Sequence, residues 1–443
     1  MKKLAIMVAA LVILSFSIAG AAEKGAFDHN SVEYLKLKIE AASFNEVNKI
    51  KNDKNTRFWC ELGNQMIVTC PKGKWPTFPA SVRSIDPLFV EENMCDPVVA
   101  MTRGANSPLD EVKDKIYVIQ KVRHFTIFQT DPKTLSDLSQ KENNHFAIIK
   151  FNDNLPLLVD LKNVLREGDN GGSQNAPEVT VDEAHLLGNI KKLQDFQTRF
   201  SLTEGYVKSA NFALDEFKRM GYQAKFSEYE ENGKKQINVI AQKSFDASEK
   251  GFYIVCGHLD STSEKSSTFA PGADDNASGS AGVLEIANIL SKSPLAGRVR
   301  FALFAGEELG LRGSKAYVRE LTASGEIKKI LGVVNFDMIG FDKTAPLSSL
   351  FETKQFADPF VKNFVTAAQA EGVKVTVSYN PWGSDHVPFL GAQVPCFLFI
   401  EDEFEANVNY HKTTDTVDAI NIKLSAAFVR ATAKTLIKYL SQK

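Results

Sequence analysis

Five metal-type ligands and one further carboxylate lie along a single stretch of this 443-residue chain, several of them at the end of an apolar run. They are His258 in GHLD, Asp274 in GADDNASG, the Glu307–Glu308 pair in AGEELG, Asp337 in NFDMIG and His411 in NYHKTTDT. Two imidazoles with several carboxylates suit a hard-to-borderline divalent ion such as zinc. A carboxylate left over beside a ligand supplies the base that metal-assisted hydrolysis needs. The chemistry this set predicts is the cutting of amide bonds by a metal-activated water.

Each residue has a local reason to belong. A ligating imidazole donates its other N–H to a carboxylate, which fixes its tautomer; Asp260 is close enough to His258 in sequence for that role. Asp274 and Asp275 stand side by side before a helix. Asn276 or Ser278 can cap that helix, which leaves an aspartate free for metal. A carboxylate shared between two ions about 3.5–4 Å apart screens their mutual repulsion. Glu307 and Glu308 follow the apolar run VRFALFAG. Adjacent like charges at the end of a buried strand are unfavourable without a cation, so one should bind metal while the other takes a proton. Asp337 ends the apolar LGVVNF and needs a positive partner for the same reason. His411 lies in a polar loop and takes its meaning from completing the set. His29, His124 and His145 are scattered and join no such constellation.

The elements that must position these groups follow from periodicity. Amphipathic helices are predicted over 183–198 and 204–220, then strands and helices alternate. INVIAQ, FYIVCG, VRFALF, LGVVNF, VKVTV and CFLFI are near-continuous apolar runs, as in strands covered on both faces. ASGSAGVLEIANILSK, LRGSKAYVRELTASG and FADPFVKNFVTAAQAEG read as helices between them, and a last helix spans about 420–441. The fold class predicted is α/β: a mostly parallel mixed sheet with helices on both faces. Ligands bind such sheets at the carboxyl ends of strands. His258, Glu307 and Asp337 then share one rim.

Upstream, KIYVIQKV, HFTIFQTD, HFAIIKFND and LPLLVDLK read as strands, with VEYLKLKIEAA and TLSDLSQK as helices. A small α+β domain over 23–170 is therefore expected. The Gly- and Asn-rich stretch EGDNGGSQNAPEVT (167–180) places a linker at 171–184 and the catalytic domain at 185–443. Lys2, Lys3, an apolar run from Leu4 to about Ala19 and the small residues to Ala22 read as a cleaved signal peptide over 1–22. The run is short for a spanning helix, which needs roughly 20 apolar residues. The expected location is outside the cytoplasm, periplasmic or extracellular, with no stable membrane insertion after cleavage. Export permits disulfides. Cys60 and Cys70 flank the hairpin-like ELGNQMIVT and form the favoured pair, whereas Cys256 and Cys396 lie in apolar runs as buried free thiols. A formal net charge of −2 points to neither nucleic acid nor an anionic membrane surface.

From about residue 185 onward the chain resembles the M28 family of zinc exopeptidases, the secreted bacterial leucyl-type aminopeptidases. The motifs GHLDS, APGADDNASG, FAGEELGLRGS, NFDMIG, SDH and YHKTTDT carry the resemblance, in that order. It implies a site for two Zn2+ ions. Asp274 would bridge them, His258 and Asp337 would complete one, and Glu308 and His411 the other. Glu307 would be the general base and Asp260 would orient His258. The family's cis peptide after the bridging ligand would fall at Asp274–Asp275. Secreted members often carry a tyrosine before SDH that helps to stabilise the oxyanion, and Tyr379 is the candidate in SYNPWGSDH. The disulfide of some relatives in this loop is absent. Relatives can carry N-terminal propeptides, so residues 23–170 are either a removable aid or inhibitor or a permanent accessory domain.

The function implied is release of amino acids from peptide or protein N-termini. A glutaminyl-peptide cyclotransferase with a one-zinc site, a carboxypeptidase, and a metal-free binding domain are the alternatives on the same fold. The complete ligand set favours two metals and hydrolysis.

Overall fold

The computed structural model describes residues 32–158 and 178–442, apart from 40–43, 89–93, 96, 103–106, 143–145, 151–154, 232, 245–250, 344 and 403–406. The expected signal peptide and most of the expected linker lie outside the described residues. Among the described residues no helix is long and apolar enough to cross a membrane.

The N-terminal part holds two sheets. One is built from Val32–Ile39 (β1), Phe58–Leu62 (β2), Gln65–Pro71 (β3), Val82–Leu88 (β4) and Leu155–Leu158 (β9), in the order β4-β1-β3-β2-β9. The other is Val98–Thr102 (β5), Ile116–Val122 (β6), Phe125–Thr130 (β7) and Phe146–Lys150 (β8), in the order β6-β7-β5-β8. Helices Phe44–Lys51 (α1) and Pro132–Ser139 (α2) accompany them. Asp131 caps α2 by accepting from the Lys133 and Thr134 amides.

Two expectations need correction. VEYLKLKI is the strand β1, paired with β3 and β4, and not a helix. Leu35, Leu37 and Ile39 recur every second residue and all are buried, so period 2 outweighs helix propensity. Cys60 and Cys70 are both free. The hairpin register sets Cys60 opposite Ile67, three residues from Cys70. An odd offset sends the two thiols to opposite faces of the sheet, and each joins a different apolar cluster.

The C-terminal part is one mixed sheet of eight strands. These are Gln223–Glu231 (β10), Lys234–Gln242 (β11), Phe252–His258 (β12), Val299–Phe304 (β13), Ile330–Phe336 (β14), Ser348–Glu352 (β15), Lys374–Ser378 (β16) and Cys396–Glu401 (β17). Their order is β10-β11-β13-β12-β14-β17-β15-β16. The central strands β13, β12, β14 and β17 are parallel, which puts their carboxyl ends on one rim, as the sequence predicts. Glu183–Gln194 (α3) and Glu204–Arg219 (α4) begin at side-chain caps from Asp182 and Thr203. With Gly279–Ser291 (α5), Asp358–Ala370 (α7) and Ile422–Ser441 (α9) they bury the largest apolar cluster. Arg312–Ala323 (α6) and His386–Gly391 (α8) pack on a second cluster with Ile254, Cys256 and Phe304. On β15 and β17 the rings of Phe351, Phe397 and Phe399 pack together with centroids 4.2–5.3 Å apart. Cys256 and Cys396 are buried free thiols, as expected.

Candidate metal centre

His258 is the last residue of β12 and Asp337 directly follows β14, so parallel pairing brings the two strand ends together. Close approach of these strands depends on Gly257, where a Cβ would lie 2.8 Å from the Phe336 carbonyl oxygen. The His258 Nε2 lies 3.2 Å from Asp337 Oδ1 and 3.2 Å from Asp275 Oδ1. The His411 Nε2 lies 3.1 Å from Asp275 Oδ2 and 3.0 Å from Glu308 Oε2. Thus His258, Asp275 and Asp337 make one triplet, and Asp275, Glu308 and His411 another. Each offers one nitrogen and two oxygens, the donor set of a zinc ion with an open position. Ligands about 2.0–2.2 Å from a tetrahedral ion stand roughly 3.3–3.5 Å apart, close to the separations seen. Glu308 Oε1 is buried with no hydrogen-bond partner, which an ion would satisfy.

The central carboxylate is Asp275. This corrects the expectation for Asp274, one residue earlier. Asp274 turns away from the imidazoles: its Oδ1 accepts from the Gly340 amide at 2.8 Å and its Oδ2 from Asn407 Nδ2 at 2.9 Å. Burial, then the nearby Asp415 charge, lift its carboxyl well above the usual range. Asp275 is held the other way. Burial opposes its charge, but hydrogen bonds and charge from His258 and His411 prevail and keep it far below that range. The cis peptide follows the central aspartate, at Asp275–Asn276. The Asn276 Oδ1 accepts from the amide of Gly279, the first residue of α5, at 2.9 Å.

Asp260 is fully buried. The His258 Nδ1 lies 3.1 Å from the Asp260 carbonyl oxygen and 3.6 Å from its carboxylate, so the carbonyl is the nearer acceptor. The carboxylate accepts from the amides of Glu307 and Glu308 at 3.2 and 3.4 Å. It therefore pins the turn that carries both glutamates. Burial pushes the Glu307 carboxyl well up, aided by Asp337 and Glu308 and opposed by His258. Burial likewise lifts Glu308 to about 7, with His411 pulling against it. Burial alone would depress the imidazoles. The carboxylates of Asp337 and Glu307 reverse this for His258, and Glu308 and Asp275 do so for His411.

Tyr379 is committed elsewhere: its hydroxyl donates to Asp358 Oδ1 at 2.7 Å. Two groups that sequence reasoning missed set the position of Asp275. Asp415 accepts from the Asp274 amide at 2.9 Å and the Asp275 amide at 3.0 Å. Fully buried Arg199 donates to the carbonyls of Leu193, Leu259, Pro271 and Gly272. Its charge lies close to Asp415, Asp260 and Asp275. The signal for Asp415 was present, four residues after His411 in the same motif. Arg199 had none, since a lone arginine before a helix reads as surface.

Residues 238–436 match the model for peptidase family M28. A probable leucine aminopeptidase of Arthroderma otae is 29% identical over 54% of this chain and 68% of its own length. Aminopeptidase YwaD of Bacillus subtilis is 33% identical over 38% of this chain, which spans only 36% of that longer protein. Among solved structures, LapB from Legionella pneumophila superposes with a TM-score of 0.55 at 18% identity. That likeness covers 78% of this chain and 100% of LapB. It is more than residues 185–443 can supply, so the shared fold reaches into the N-terminal sheets.

Proposed function

This chain belongs to peptidase family M28 through residues 238–436, and from that premise we propose that it is an exported two-zinc aminopeptidase. One observation carries the proposal. The two oxygens of Asp275 face different imidazoles, at 3.2 and 3.1 Å, so one carboxylate serves two adjoining triplets. His258, Asp275 and Asp337 would hold one ion, and Asp275, Glu308 and His411 the other. Bound zinc supplies Lewis acidity, which polarises a carbonyl and lowers the pKa of water.

The protein's own groups do the rest. Glu307 is the general base. Its raised proton affinity suits it to take a proton from the attacking water and pass it to the leaving amine. Asp260 keeps Glu307 and Glu308 in register by holding their amides. Asp415 and Arg199 fix the loop that presents Asp275. The carboxylates around the site attract a substrate's terminal ammonium, and binding at that terminus positions the scissile carbonyl. The apolar leader over 1–22 directs the chain out of the cytoplasm.

The test is a peptide panel assayed with zinc content in parallel. Peptides with free amines and blocked C-termini should be cut, and their N-acetyl counterparts should resist. The reverse pattern, with a required C-terminal carboxylate, would make the chain a carboxypeptidase. Pyroglutamyl products from N-terminal glutamine, without hydrolysis, would make it a cyclotransferase. Absence of both zinc and turnover would leave a binding domain.

A further inference from the structure

The α/β sheet has different cover on its two faces at β15 and β17. Along β17, Phe397 and Phe399 point into the cluster built by α7 and α9, while Leu398 and Ile400 point the opposite way. That second face is where a helix would be expected. Leu350, Leu398 and Ile400 are instead fully buried in one cluster with Leu62, Ile67, Val99, Phe125, Ile127 and Leu157 of the N-terminal sheets. Polar contacts cross the same boundary. Arg123, in the β6–β7 turn, pairs with Asp402, just after β17, and donates to Thr376 on β16 at 3.0 Å.

The shared cluster reaches the metal centre. Met338, next to Asp337, is buried in it, and Tyr410, next to His411, packs against it. The Tyr410 ring stacks on the His411 imidazole with centroids 3.8 Å apart. Two ligand-bearing segments, one from each triplet, therefore rest on the N-terminal sheets. Removing those sheets would bare a contiguous apolar face and free the backing of both segments.

We propose that the N-terminal domain is a permanent wall of the catalytic domain, which holds the Asp337 and His411 segments in place, and not a removable propeptide. The proposal rests on the two-zinc reading only for its zinc and activity readouts.

The experiment uses the full chain with a protease recognition sequence placed within residues 171–177, cut to completion. Both fragments should co-elute at the size of the uncut protein, with no loss of zinc and no change in kcat/KM on a free-amine peptide. Under rising urea, zinc and hydrolysis should be lost at the concentration where the fragments part. Separation without urea would overturn the proposal. So would a rise in kcat/KM on cutting, the mark of an inhibitor, or zinc and activity that survive separation. An uncut chain that holds no zinc and cuts no peptide would sink the functional reading, while co-elution of the cut fragments without urea would still decide this one.

Discussion

At the scale of single residues the proposed roles separate binding from proton transfer. Glu307 and Glu308 are neighbours, yet only Glu308 meets an imidazole, at 3.0 Å from His411. Glu307→Ala should keep its zinc and lose about 10²–10⁴-fold in rate, the span of acid–base catalysis. Metal analysis beside steady-state kinetics checks this, and loss of zinc with unchanged rate per bound ion would exchange the two roles. The aspartates divide in the same way. Asp275→Asn should empty both triplets, whereas Asp274→Asn should retain two zinc ions per chain, since Gly340 and Asn407 occupy that carboxylate. Equal zinc loss from both variants would remove Asp275 from its central place. Four of the ligands expected from sequence, His258, Glu308, Asp337 and His411, fall in the two triplets, with Glu307 beside Glu308 in the chain. The choice between Asp274 and Asp275 was not legible there. Which of the two faces the imidazoles depends on how the turn is held, and its amides are held by Asp415, distant in sequence.

At the scale of elements, the site is made by strand ends in register. Tyr253 to Gly257 of β12 pair with Gly332 to Phe336 of β14, which delivers His258 and Asp337 side by side. Gly257→Ala would force a Cβ to within 2.8 Å of the Phe336 oxygen. Overpacking of this kind costs about 1–3 kcal/mol. The variant should unfold at lower urea and bind zinc more weakly, as its two strand ends spread. Unchanged stability and zinc affinity would show that the strands have room to spare. The parallel core was readable because its strands are apolar throughout and alternate with helices. The strand β1 was misread because VEYLKLKI contains good helix formers. Its pairing with β3 decides the matter, and such partners are invisible to local propensity.

At the scale of the whole molecule, metal binding, protonation and stability are one linked equilibrium. In the metal-free protein Glu308 is lifted to about 7 and the His411 imidazole is held well above its usual range. Both must shed protons to ligate. Zinc binding should therefore release protons near neutral pH, and the stability gained from zinc should be present above about pH 7 and shrink as pH falls below it. Free zinc at 100 times its dissociation constant adds about 2.7 kcal/mol, visible as a rise in Tm over the stripped protein. Calorimetry in buffers of different ionisation enthalpy would count the protons, and a gain in Tm independent of pH would contradict the linkage. The interdomain packing was not legible at all. Leu398 and Ile400 in CFLFIE announce a buried strand without saying what covers it. That shared cluster also orders the chain in time. The N-terminal sheets leave the ribosome first, but the surface that covers their apolar side, on β15 and β17, arrives only near the end of synthesis. Such long-range closure is slow and leaves apolar surface open meanwhile, so the nascent chain must be shielded from aggregation until its last strand has been made.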